Sequence, residues 1–153
     1  MNDILLKEFE SIKADLITAY DRKGMRASGQ FADNLEVVQT SIGVQLWGLN
    51  YSQQLETGRQ AGKFPPINAI AKWIEDKGIA NRLNGEITKN QLAFLIARKI
   101  AREGWNRADY GGVELISEVI TEQRIQSIID KVGEEVLLNY TTDIIKMIKE
   151  VWQ

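Results

Sequence analysis

Two segments in the middle of this 153-residue chain constrain its fold most, because each combines a helical apolar pattern with residues that start or stop a helix. In the first, Pro65 and Pro66 stand where proline is tolerated at a helix start, and Gly78 stands where glycine ends a helix. Its predicted buried face consists of apolar residues spaced three and four apart, namely Ile67, Ile70, Ala71 and Ile74. We therefore predict a helix over residues 66–77.

The second segment predicts a helix over residues 90–103. Thr88 or Asn90 can cap its start, and Gly104 follows its last turn. One face alternates large and small apolar side chains, which suits close helix packing: Leu92, Ala93, Ile96, Ala97, Ile100 and Ala101. The other face carries Arg98, Lys99 and Arg102.

The flanking sequence predicts two long terminal helices and a small sheet. Apolar spacing predicts helices over residues 3–23 and about 122–152, and leaves open a break of the second near residues 139–142. Alternation predicts strands within about residues 30–55 and at about 113–120, where a helix is the weaker alternative. We predict one α+β domain over residues 1–153, a small curved antiparallel sheet packed with several helices.

The composition narrows the chemistry that this chain can perform. It contains no cysteine and no histidine, the usual thiolate and imidazole groups of nucleophilic and metal sites. Its acidic residues form no motif typical of oxygen-ligated metal sites. We therefore expect no enzyme activity, no metal and no cofactor. No apolar run is long enough to span a membrane, so no membrane partner is expected.

Charge is distributed unevenly along the chain. Residues 57–109 carry a net charge of +5, whereas residues 1–56 and 110–153 carry −3 and −4, giving −2 overall. Such segregation favours either a basic surface that meets phosphate or attraction between neighbouring copies. A solvated helix face that keeps the domain soluble is the third interpretation, and the sequence leaves all three open.

A set of residues is predicted to form an interface with a subunit or partner. Trp47 alternates outward from a predicted strand, where it either anchors an interface or packs under a neighbouring helix. The loop before the first central helix has glycines that permit sharp bends and close backbone approach. The loop residues concerned are Glu56, Gly58, Arg59, Gly62, Lys63, Phe64, Pro65 and Pro66.

At these residues the chain resembles the small neck or tail-completion proteins of tailed bacteriophages, which help join the DNA-filled head to the tail. The resemblance covers about residues 26–105 through the segments YSQQLETGR, KFPPINAIAKWIEDKGI and LAFLIARKIAREGW. The matching positions are Glu56, Gly58, Arg59, Pro65, Pro66, Trp73, Gly78, Ala93, Ile96, Ala97, Arg98, Lys99, Ile100 and Gly104. The chain departs from the family pattern in NRADYGGVELI, which lacks proline, and in its long C-terminal helix.

The resemblance implies a structural virion protein, assembled in the host cytoplasm, that forms a ring around the DNA channel. Its partners would be copies of itself, the portal-side connector and tail proteins, with non-specific contact to passing DNA. The basic face of Arg98, Lys99 and Arg102 would then meet either the DNA channel or a partner. The alternative is a small cytoplasmic nucleic-acid-binding or regulatory module that uses this basic face.

Overall fold

The computed structural model describes residues 2–151 and confirms the α+β class, with a two-stranded antiparallel sheet and long terminal helices. Two short 3-10 turns, Ala80–Arg82 and Ala108–Tyr110, lie between the longer elements. In chain order, the helices and strands are α1 (Asn2–Arg22), α2 (Gln30–Asp33), β1 (Glu36–Thr40), β2 (Gly43–Trp47), α3 (Ser52–Thr57), α4 (Ile67–Asp76), α5 (Lys89–Glu103), α6 (Leu115–Val119) and α7 (Glu122–Val151).

The two central helices begin and end where the sequence predicts. Pro66 is the N-cap of α4, and Gly78 follows its end in a left-handed conformation with φ 67°. Thr88 caps α5 in a capping box, because its hydroxyl accepts from the Gln91 amide while the Gln91 side chain accepts from the Thr88 amide. Gly104 is the C-cap of α5.

The sheet is smaller than the predicted strand region of residues 30–55. β1 and β2 form a hairpin in which Thr40 pairs with Gly43 across a two-residue turn. The flanks are helical instead: α2 buries Phe31 and α3 buries Leu55 in the main core. Each of these two short helices thus contributes one buried side chain to that core.

The predicted strand at residues 113–120 is wrong, because the chain forms helix α6 there. Leu115 and Val119 lie four residues apart, so a helix turns both toward the core, where both are buried. The amides of Ile116 and Ser117 donate to the Glu56 carboxylate at the start of this helix. The alternation of residues 113–120 does not reveal this cap, because Glu56 is far from them in the sequence.

The buried apolar residues form two clusters. The larger one joins α1 to the loop after it, to α2, α3 and α6, and includes Ile12, Leu16, Tyr20, Phe31 and Leu115. The smaller one lies between α4 and α5: Ile70, Ala71, Ile74, Ala93 and Ala97. Ala93 and Ala97 are fully buried, so their small side chains let the two helices approach closely.

Helix α7 runs antiparallel to α1 and is continuous through residues 139–142, where the sequence left a break open; residue 152 lies outside the described residues. Arg124 pairs with Asp15 at 2.7 Å, and Lys131 pairs with Glu8 at 2.6 Å. The two pairs are seven residues apart on both helices. This register brings Asn2, the first residue of α1, level with Leu137.

Candidate interaction surfaces

The loop after α3 is joined to the end of α5 by a short backbone bridge. The Arg59 amide donates to the Trp105 carbonyl and the Trp105 amide donates to the Arg59 carbonyl, both at 2.7 Å. A methyl group on Gly58 would overlap the Trp105 carbonyl oxygen, and one on Gly104 would overlap the Arg59 carbonyl oxygen. The predicted close approach of Gly58 is therefore made to this chain's own backbone.

Glu56 faces the interior side of the same junction. Its carboxylate accepts from the Ile116 amide at 2.6 Å and the Ser117 amide at 3.1 Å, and its carbonyl accepts from the Glu114 amide. Burial raises the pKa of Glu56, but a hydrogen bond from the Ser117 side chain, the two amide hydrogen bonds and the nearby Lys23 charge outweigh burial and hold the pKa below its ordinary value of 4.5. Glu56 thus ties α3 to α6.

The remainder of the predicted loop is held at its base and exposed at its tip. Arg59 donates from its guanidinium to the Lys63 carbonyl at 2.7 Å, and the Gly62 amide donates to the Ala101 carbonyl at 2.7 Å. Pro65 is buried, whereas Lys63 and Phe64 are exposed. The Phe64 ring packs on Phe94 of α5 with centroids 5.8 Å apart.

Arg98, Lys99 and Arg102 lie together on the exposed side of α5. Within residues 2–151 their side chains make no hydrogen bond or ion pair. Phe94 and Leu95 are exposed on the same side, one helical turn earlier. The structure therefore brings the predicted basic face next to the exposed tip of the loop, through the Phe64–Phe94 contact.

Other cations of the middle segment are used inside the fold. Arg107 donates to the Lys23 carbonyl at 2.5 Å, and Lys77 donates to the Gly24 carbonyl at 2.6 Å. Both carbonyls follow the end of α1, where the helix dipole favours positive charge. Burial lowers the pKa of both groups, and the Arg107 charge lowers the pKa of Lys77 further. These two side chains therefore join the α4–α5 layer to α1.

The hairpin presents an outward side with Trp47 at its end. Leu46 packs against the main core, so its neighbour Trp47 points away from it and is 58% exposed. Its indole nitrogen donates to the Gln45 side chain. Ile42, in the turn, is 91% exposed. No third strand pairs with β1 or β2 anywhere in the described chain.

Sequence reasoning missed the outer half of α7 as a surface. Leu137, Leu138 and Tyr140 are each 66–68% exposed, and Val136, Ile145, Met147 and Ile148 are also exposed. A helical apolar pattern looks the same whether it meets the core or water. The signal available in the sequence was length, because α7 is longer than α1, the helix beside it.

None of the helices in residues 2–151 is long and apolar enough to cross a membrane. Comparisons of the chain with protein-family models, with curated proteins and with solved structures return no significant match.

Proposed function

We propose that this chain is a structural component of a tailed-bacteriophage virion, which forms a ring in the neck and joins the portal-side connector to the tail around the DNA channel. The sequence segments between residues 26 and 105 supply the resemblance to this class. The proposal places the protein in the assembled virion, with the host cytoplasm as the site of assembly. Its work is contact between proteins rather than chemical conversion of a substrate.

The observation that carries the proposal is the incomplete hairpin. A two-stranded sheet is marginal alone and leaves hydrogen-bonding groups on both outer edges, which can pair with another chain. An exposed tryptophan beside such an edge is a typical interface anchor. An edge that meets a different surface of the next copy makes a head-to-tail contact, and such contacts close into a ring when the rotation divides the circle.

Two further features support contact between copies. The tip of the loop presents Lys63 and Phe64 on a base held by the Arg59–Trp105 bridge, so a neighbour would meet a preorganised surface. The unpaired cations of α5 belong to the basic middle segment, while residues 110–153 carry −4. Opposite charge on facing surfaces of neighbouring copies would set their register and steer assembly.

The test is the mass of the chain in the presence of its partners. The protein is mixed with the portal-side connector and tail proteins encoded beside it, and native mass spectrometry reports the stoichiometry. We expect a closed species with several copies, weakened in Trp47→Ser and intact in Tyr110→Ser, where another exposed aromatic is removed. A chain that stays monomeric with both partners present would reject the proposal.

The unpaired Arg98, Lys99 and Arg102 favour a second candidate, a small module that binds nucleic acid through this face. Its signature is binding to DNA that weakens steeply as salt rises, because phosphate neutralisation releases counterions. Arg98→Glu with Arg102→Glu would abolish that binding, and Lys13→Glu with Lys7→Glu on α1 is the matched charge control. Absence of binding at low salt would reject this candidate.

A further inference from the structure

We infer that the outer half of α7, residues 136–148, is the contact by which each copy packs between the same helices of two neighbouring copies. This inference rests on the proposed ring and names one of its subunit contacts. The occupant of the exposed apolar surface is thus further copies of this chain, arranged side by side.

The outer half of α7 extends beyond the helix that packs beside its inner half. The ion pairs Asp15–Arg124 and Glu8–Lys131 set the register of α1 against α7. In this register the first residue of α1 lies level with Leu137, so α1 does not lie beside the residues that follow Leu137. The 14 residues from there to Val151 extend about 20 Å further at 1.5 Å per residue. Their apolar side chains therefore have no cover from α1.

The apolar surface of this segment is unusually wide for a helix that packs on one side only. At about 100° per residue, apolar positions in residues 136–148 fill an arc of roughly 200° around the helix, twice the width of a stripe that faces a single core. One edge of the arc carries Val136, Tyr140 and Met147, and the other carries Leu138 and Ile145. Leu137, Ile144 and Ile148 lie between the edges.

The two edges lie on nearly opposite sides of the helix, so a contact between only two copies of the helix cannot cover both edges. A twofold dimer uses the same patch on both copies, so it covers one edge and leaves the other in water. A helix in a ring meets one neighbour on each side, so both edges are covered. The edge of Leu138 and Ile145 in one copy would then contact the edge of Val136, Tyr140 and Met147 in the next.

The remaining circumference has the polarity expected of a solvent-facing side. It carries Asn139, Thr142, Asp143, Lys146, Lys149 and Glu150. Thr141 is the polar residue inside the arc, and its hydroxyl already donates to the Leu137 carbonyl at 2.8 Å. Packing against a neighbour would therefore bury no unsatisfied hydroxyl at this position.

The outer half of α7 exposes a large apolar area. Seven apolar side chains of this segment are exposed: Val136, Leu137, Leu138, Tyr140, Ile145, Met147 and Ile148. Covering them would bury on the order of 800 Å² per copy, shared between the two neighbours, so each contact would bury roughly 400 Å² on each side, half of one side of a standard protein interface. A monomer rarely leaves a contiguous apolar surface of that size in water.

Disulfide trapping tests the predicted neighbours, because the chain has no cysteine of its own. Leu138→Cys and Tyr140→Cys are combined in one chain, where the two sulfurs point to opposite sides of the helix. Oxidation of the assembled protein should give a ladder of covalent oligomers beyond the dimer, whereas each single variant should give no ladder. Asn139→Cys with Thr142→Cys, on the polar side, is the control and should give none.

A charge variant tests whether the contact is needed. Leu138→Glu with Ile145→Glu should reduce assembly at least tenfold while leaving thermal unfolding unchanged, because both side chains are exposed in the single chain. Asn139→Glu with Thr142→Glu adds the same charge to the polar side and should assemble normally. Unimpaired assembly of Leu138→Glu with Ile145→Glu would overturn the inference.

The outcomes separate this inference from the proposed function. Rings that form with the connector and tail proteins but give no ladder would reject the helix contact and leave the neck role standing. A ladder from the chain alone, with no assembly on those proteins, would support the helix contact and reject the neck role. A charge variant that loses partner binding but keeps self-assembly would assign the surface to the partner and overturn the inference.

Discussion

Arg59 and Trp105 exchange backbone hydrogen bonds in both directions, and this bridge fixes the loop after α3 against the end of α5. Gly58 and Gly104 stand directly before the two bonded residues, with φ of 71° and 78° and ψ of −161° and −165°. That region of backbone space is essentially restricted to glycine. The bridge therefore depends on two glycines that lie 46 positions apart in the sequence.

Gly104→Ala should destabilise the protein by about 3 kcal/mol or more, because the methyl group adds backbone strain and overlaps the Arg59 carbonyl oxygen. The measurement is the free energy of unfolding in urea. Gly78→Ala is the matched control, since Gly78 also has positive φ but no atom within 4 Å of the added methyl group. Equal losses in the two variants would contradict a role for the bridge.

Glu56→Ala should cost about 1–3 kcal/mol, because two amides at the start of α6 lose a charged acceptor. Glu86→Ala is the control, since Glu86 is exposed and makes no hydrogen bond or ion pair in the described chain. Urea unfolding at pH 7 gives both values. A loss in Glu56→Ala no larger than in Glu86→Ala would show that the cap contributes nothing.

Acid should remove the Glu56 contribution. The folded pKa of Glu56 lies below its ordinary value of 4.5, so its stabilisation is complete above that value and is lost as pH falls through the folded pKa. Glu56→Gln should therefore flatten the fall in unfolding free energy with acidification below about pH 5. Parallel pH profiles for the parent and Glu56→Gln would contradict the prediction.

Arg107→Ala should cost about 1.5–3 kcal/mol, because a half-buried guanidinium that donates to the Lys23 carbonyl is lost. Arg98→Ala should change the unfolding free energy by no more than about 0.5 kcal/mol, since Arg98 is exposed and unpaired in the described chain. Differential scanning calorimetry of both variants separates structural cations from those available to a partner. Similar effects would mean that this division is wrong.

The rate of amide hydrogen exchange along α7 should change near Leu137. In the isolated chain, amides of residues 140–150 should exchange faster than those of residues 126–134, because the outer part lacks tertiary packing. Assembly should slow exchange in the outer part selectively. Uniform protection along the isolated helix would contradict the division.

The helices that carry their own start and stop residues were predictable from sequence. Pro66 with Gly78, and Thr88 with Gly104, bound α4 and α5 within a residue or two of the predicted limits. Structure that depends on contacts between residues far apart in the sequence was not predictable in this way. Residues 113–120 alternate like a strand, but the Glu56 carboxylate and the burial of Leu115 and Val119 make them helical.

The candidate site was predictable only in part, for the same reason. Exposed Trp47, and the basic face on α5, follow from local alternation and helical spacing. The roles of Glu56 and Gly58 did not follow, because their contacts are 47 or more positions away along the chain. The outer half of α7 was not predicted to be an exposed surface, because an apolar pattern does not reveal where the neighbouring helix ends.

The rod-like outer half of α7 also acts as a lever. Its direction is set at its root. There Arg124 forms an ion pair with Asp15 and a hydrogen bond with Ser11, and Lys131 forms an ion pair with Glu8. A continuous helix bends little over this length, so a small tilt at those ion pairs becomes a larger displacement at the tip. In the proposed ring, the spacing of neighbouring helix tips would therefore depend on four charged side chains at the root of the helix, away from the tips themselves.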